Sequence, residues 1–181
     1  MTQRRPLPDI SNQLNIRNGN PEMKQEYNHM LQTGLTLVSP YKNKNLFLFM
    51  TMQATSNKIV NYDSLNQQTG VRKTKPVNVS GVYNLNTTIS YSLPVRFLKG
   101  TIELSSGAGY NKGKQLTNTL TGDMAVNTIK TLTLGPDVRL DMNPTPKLNI
   151  GVGAGISYNN TKYSLQPDFS NNYLSQEFTT S

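Results

Sequence analysis

Apolar and polar residues alternate without a break along residues 148–158. Leu148, Ile150, Val152, Ala154, Ile156 and Tyr158 fall on one side, and Asn149, Gly151, Gly153, Gly155 and Ser157 on the other. A period of two is the signature of an extended strand with one apolar and one polar face. The run exceeds the about five or six residues of an ordinary strand and fits the roughly 9–11 that a tilted strand needs to cross a bilayer.

The pattern recurs. Residues 27–37 place Tyr27, His29, Leu31, Thr33, Leu35 and Leu37 on one face, with Met30 as an exception on the other. Residues 46–56 give Leu46, Leu48, Met50, Met52 and Ala54, while Phe47 and Phe49 interrupt the polar face. Residues 77–95 read as one strand, with Val82 out of phase. Residues 101–111 and 126–142 follow, then 148–158, and a seventh segment begins near Asn172. Apolar residues do not recur at helical spacing, and Asn, Thr, Ser and Gly crowd the polar positions, so helix is a poor fit. Residues 1–24, with Pro6, Pro8 and Pro21, read as an irregular lead-in, and 25–181 as the β segment.

The connections alternate in kind. Residues 39–45, 94–100 and 143–147 are short and rich in turn formers, whereas 57–75, 111–124 and 160–171 are longer and polar. The expected fold class is therefore all-β: an antiparallel up-and-down meander of about seven (6–8) long strands. Short turns on one side and long loops on the other are the habit of transmembrane β-barrels. Charge placement agrees. Glu103, Asp137, Arg139 and Asp141 sit on polar rows, and Lys130 alone falls on an apolar row, near the loop end where it can snorkel. Tyr110 and Tyr158 near the loop ends, and Phe47, Phe49 and Phe97 near the short turns, fit two interfacial aromatic belts, although aromatics are also ordinary strand formers. Pro136 removes a ladder donor in mid-strand, so a bulge or an edge position is expected there.

Composition sharpens this picture. The mean hydropathy of −0.52 is lean for a globular core, but a barrel strand needs only one apolar face. No run of about 18 apolar residues exists, so no transmembrane helix is expected. The 181 residues include no Cys and one His, which removes disulfides and thiolate metal sites. The net charge of +8 invites a nucleic-acid reading. The cations are scattered, however, and their densest group, Arg72-Lys73-Thr74-Lys75, lacks any RNA-binding or helix-turn-helix signature. A solvated loop or strand end explains it better, and nucleic acid is not an expected partner. The N-terminus lacks the apolar core of a signal peptide, and the chain stops inside an alternating segment. The first fits a cytosolic chain, a mature protein or an excised fragment, and the second supports a fragment.

Asn18-Gly-Asn-Pro-Glu-Met-Lys-Gln-Glu-Tyr27 resembles the Gly-Asn-Pro-x-Leu-x-x-Glu segment of TonB-dependent receptors, with Met23 at the Leu position and Glu26 at the Glu position. Asn57-Lys-Ile-Val60, Lys75-Pro-Val-Asn-Val-Ser-Gly81 and Asn159-Asn-Thr-Lys-Tyr-Ser-Leu-Gln-Pro167 are similar to segments of the same outer-membrane branch. The resemblance covers about Asn18 to the end. It implies an outer-membrane location, a 22-strand barrel around an N-terminal plug, uptake of a nutrient ligand, and energy coupling through the TonB system. This sequence supplies about seven strands, no plug and no TonB box. It is expected to be a β-barrel segment that pairs elsewhere, a twisted open sheet, or a small closed barrel.

No catalytic constellation emerges. The carboxylates of Asp137 and Asp141 lie roughly 13 Å apart along one strand, too far for a paired acid and base. With Arg139 between them, they read as a lumen-lining ladder. His29 falls on an apolar row as an interface residue, and Asp123 beside Gly122 reads as a loop turn. Gly151, Gly153 and Gly155 precede no helix, so they form no phosphate loop and instead fit a crowded inner face. Asn159-Asn160-Thr161 matches a glycosylation sequon that carries little weight in a bacterial protein. The expectation is a non-catalytic outer-membrane receptor or transporter segment that touches lipid and needs no metal or cofactor. Its nutrient ligand is unassigned, with Lys112, Lys114, Asn118 and Asn171 as possible loop contacts. The alternative is a soluble secreted β-sandwich, an adhesin or carbohydrate-binding module, that buries the same apolar rows against a second sheet.

Overall fold

Ten strands follow one another in the computed structural model, which describes residues 8–66, 68–118, 124–145 and 147–181. They are β1 (Asn15–Arg17), β2 (Tyr27–Ser39), β3 (Lys44–Ser56), β4 (Lys58–Leu65), β5 (Arg72–Val79), β6 (Val82–Val95), β7 (Gly100–Asn118), β8 (Met124–Thr145), β9 (Leu148–Tyr163) and β10 (Asn171–Thr180). Seven form one antiparallel sheet in the order β10-β9-β8-β7-β6-β3-β2, which is the expected meander. Among the described residues β2 and β10 are edges, so this sheet is open rather than a small closed barrel.

Two of the short turns share one construction. Pro40–Lys42 and Arg96–Leu98 each form a single 3-10 turn closed by a left-handed residue, Asn43 (φ 48°) or Lys99 (φ 48°). In each, the cap N–H donates to the carbonyl of the first turn residue, Pro40 or Arg96. The second residue of each is an aromatic thrown into solvent, Tyr41 at 99% and Phe97 at 85% exposure.

The segment expected as a long loop at 57–75 folds instead as the hairpin β4–β5, which with β1 makes a second sheet in the order β1-β5-β4. Asn57 adopts φ 52° and turns β3 directly into β4. The strand expected over 77–95 is two strands. Gly81 at φ 77°, a conformation that favours glycine, separates β5 from β6. Val77 and Val79 therefore belong to the small sheet, and Val82 starts the large one.

Residues 18–27 fasten this hairpin to the barrel sheet. Buried Asn20 accepts from Glu22 N–H and donates through Nδ2 to the Pro76 carbonyl at 3.0 Å. Asn78 answers from β5, accepting from Lys24 N–H at 2.7 Å and donating to the Lys24 and Asn57 carbonyls. Glu26 Oε2 accepts from Ile59 N–H at 2.9 Å. Met23, Val79 and Val82 are the buried hydrophobic side chains among the described residues, and all lie in this corner.

Pro136 lies in the interior of the sheet, and neither a bulge nor an edge accompanies it. Pairing to β7 continues through Ser106, while pairing to β9 lapses between Leu134–Tyr158 and Asp137–Gly155 and resumes in the same register. A missing N–H costs ladder bonds on one side only. The register shift of β8 falls at Met142–Thr145, next to the turn. No second sheet covers the apolar rows among the described residues. Leu31, Leu35, Leu104, Val138, Val152 and Ile156 are all exposed, which rules out the sandwich alternative.

Candidate functional site

Register places the polar residues of the large sheet in horizontal rows. One row runs Thr36, Phe47, Ser90, Ser105, Asp137, Gly155 and Glu177. The next, towards the short turns, runs Val38, Asn45, Ser92, Glu103, Arg139, Gly153 and Thr179. Arg139 Nε donates to both oxygens of Asp141, at 3.1 and 2.9 Å. Ser90 donates to Glu103 at 2.7 Å, and Ser105 donates to Asp137. The ladder expected at Asp137, Arg139 and Asp141 is thus a two-dimensional patch reaching β7 and β10. Across the whole polar face of the large sheet the formal charges are Glu103, Asp137, Asp141 and Glu177 against Arg139, a net of −3 on a chain of +8. Glu177 was hidden in the sequence because only the start of its segment was legible there.

The glycine series on β9 makes room for these charges. Gly151, Gly153 and Gly155 stand opposite Asp141, Arg139 and Asp137. A Cβ at Gly151 would come within 2.9 Å of Asp141 Oδ1 and 3.3 Å of Arg139 Nη2, and one at Gly153 within 2.6 Å of Thr179 Oγ1. Side chains of β8 and β10 lean over β9 from both sides, as expected of a crowded concave face. Among the described residues no three carboxylates or imidazoles cluster to hold a metal ion. Such a surface can attract cations and offer hydroxyl, amide and carboxylate partners to a hydrophilic solute.

The opposite face is apolar and exposed. Its band extends from the row Val95, Gly100, Met142 and Ile150 to the row Leu85, Tyr110 and Leu132. Ten residue steps at about 3.4 Å, tilted by about 45°, give a band about 24 Å tall, close to the roughly 25 Å of a membrane barrel. Tyr83 and Tyr110 stack at its loop end, with centroids 5.7 Å apart. Tyr158 lies one row below Tyr110, opposite Leu134. Phe47 and Phe49 stack at 6.3 Å but point to the polar side, so they are not part of the lipid-side belt expected of them. His29 takes the row of Ala54 and Tyr83, just beyond the apolar band.

The loop contacts foreseen at Lys112, Lys114, Asn118 and Asn171 are not in loops. The first three lie in β7, and Asn171 opens β10. Asn118 accepts from Tyr62 at 2.5 Å and donates to the Asp63 carbonyl, tying β7 to the hairpin. On that hairpin the Arg72 guanidinium, together with the Thr74 hydroxyl at 2.6 Å, holds the Asp63 carboxyl below its ordinary value. Asp123 lies outside the described residues.

A wet, charged face and an apolar face of bilayer height on one antiparallel meander define a transmembrane β-barrel protein. Residues 2–179 match the family model described as "Outer membrane protein beta-barrel family", and the chain belongs to that family and to the outer membrane. No protein of curated function and no solved structure matches the chain.

Proposed function

We propose that this chain is the β-barrel portion of a TonB-dependent receptor that takes up a nutrient and is not catalytic. The polar face of β2, β3 and β6–β10 lines the lumen, and the β4–β5 hairpin and the far ends of β7–β9 face the outside. The carrying observation is the open sheet itself. Seven bilayer-length strands whose two edges are unpaired among the described residues have the architecture of one sector of a wide barrel, because a sheet in lipid must close. The similarity of residues 18–27 to the receptor segment supports the finer reading. Asn20, Met23 and Glu26, three residues of that pattern, anchor the strand that opens the sector.

The test is uptake. A strain deleted for the gene should lose import of one nutrient class, and import in the parent strain should stop when an uncoupler dissipates the proton gradient that energises TonB. Import that survives the uncoupler, or no uptake defect across iron chelates, oligosaccharides and peptides, refutes it.

A further inference from the structure

The apolar face carries charge only at its margins, and all of it is positive. Beyond the Tyr110–Leu132 row, the next register row reads Tyr83, Lys112, Lys130 and Lys162 across β6–β9. Lys114 stands one step further out on β7. In the sequence Lys130 looked like a lone snorkelling residue. The strands run further than the alternation indicated, and Lys112 and Lys162 become its direct cross-strand neighbours on both sides.

Three ammonium groups on adjacent strands, with backbones about 4.8 Å apart, repel one another. Neither ion pair among the described residues involves a lysine, so no such carboxylate neutralises them. One end of the row is also held in place. Lys112 Nζ lies 5.3 Å from the Tyr83 ring centroid, over a tyrosine pair that marks the membrane boundary. Lys130 and Lys162 are exposed on the lipid side. Lysines concentrated at one height of a bilayer, beside interfacial aromatics, meet the headgroup layer of the lipids.

We propose that Lys112, Lys130 and Lys162 form a docking row for a net-anionic, phosphate-monoester lipid headgroup in the leaflet on the loop side. The phosphate lies across the three ammonium groups and relieves their repulsion, while the acyl chains run down the apolar band past Tyr110 and Leu132. This rests on the apolar band facing lipid.

The test uses the closed barrel, with β2 and β10 paired, inserted into phosphatidylcholine vesicles with and without phosphatidic acid, with bound lipid counted by native mass spectrometry. The wild-type protein should retain phosphatidic acid over phosphatidylcholine. Combining Lys112→Gln, Lys130→Gln and Lys162→Gln should cut that preference by about a hundredfold, or about fivefold per lysine. A control triple of Lys58→Gln, Lys73→Gln and Lys75→Gln, which removes the same charge from the small sheet, should leave it intact. Equal loss in both triples, or no preference in the wild type, overturns the proposal. So does displacement of the lipid by inorganic phosphate at matched concentration, which would make free phosphate the ligand. A closed barrel that inserts into neither vesicle overturns the lipid-facing assignment and the docking row together, whereas insertion without preference overturns the row alone.

Discussion

Val138 and Gly107 offer the sharpest test of which face meets lipid. Val138 stands on the apolar face between Leu104 and Ala154, within one residue of mid-height in the band, and is 41% exposed. Gly107 stands on the polar face three residue steps beyond Leu104, about 7 Å nearer the loop side on a strand tilted by about 45°, and a Cβ built there meets nothing within 4 Å. Val138→Arg places a guanidinium at the bilayer midplane, at a cost of about 2–4 kcal/mol, or roughly 30- to 1,000-fold in the folding equilibrium. Gly107→Arg places the same group in a wet lumen with open space on the face that carries the acidic patch, and should cost less than about 0.5 kcal/mol. Leu132→Arg adds a depth axis. It lies six residues above Val138, about 14 Å nearer the interface on a strand tilted by about 45°, where the cost falls to about 0–1 kcal/mol. Urea unfolding of the closed barrel, with β2 and β10 paired, from phosphatidylcholine vesicles is followed by circular dichroism. The expected order of destabilisation is Val138→Arg first, Leu132→Arg next and Gly107→Arg last. Equal costs at Val138 and Gly107 refute the assignment of faces.

Three further outcomes follow from particular contacts. Gly153→Val drives its side chain into Thr179 and should destabilise by about 1–3 kcal/mol, whereas Gly107→Val should be tolerated, both read in the same unfolding assay. Asn20→Leu strips the Pro76 carbonyl and Glu22 N–H of their partner. That should cost about 1–3 kcal/mol locally and appear as faster amide exchange in β5, with the core of β7 and β8 unchanged. Asp63 has its folded pKa depressed by Arg72 and Thr74, so its contribution is present above the unfolded value near 3.9 and is lost as pH falls through the folded one. Proteolysis of the β4–β5 hairpin should therefore rise on acidification below about pH 4, and Asp63→Asn should abolish that pH dependence while raising cleavage at neutral pH.

The membrane-spanning part of the fold was legible because lipid on one side and water on the other impose a period of two on β2, β3 and β6–β10. Where that asymmetry ends, the signal ends, although the pairing does not. Asn111–Asn118 continue β7 with Lys112, Lys114 and Gln115, and Asn159–Tyr163 continue β9, yet both stretches read as loop. With no hydrocarbon against either face, nothing selects for apolar alternation. The β4–β5 hairpin escaped for the same reason, and the break at Gly81 escaped because Val77, Val79, Tyr83 and Leu85 stay in phase across it. The acidic ladder was legible as one strand's sequence, but its extent depends on register. Only pairing shows that Glu103 faces Arg139 and that Glu177 shares a row with Asp137. The anchoring roles of Asn20 and Glu26 depend on contacts more than thirty residues away.

The two unpaired margins of the large sheet carry a consequence for how the protein reaches the membrane. β2 is 13 residues long, and about half of its N–H and C=O groups point away from β3. In hydrocarbon each unmet group costs several kcal/mol, so such a margin exposed to lipid would forfeit tens of kcal/mol. Entry of these strands into the bilayer and capping of β2 and β10 must therefore be a single event, and an assembly that stalls before the last seam is sealed must stall outside the hydrocarbon.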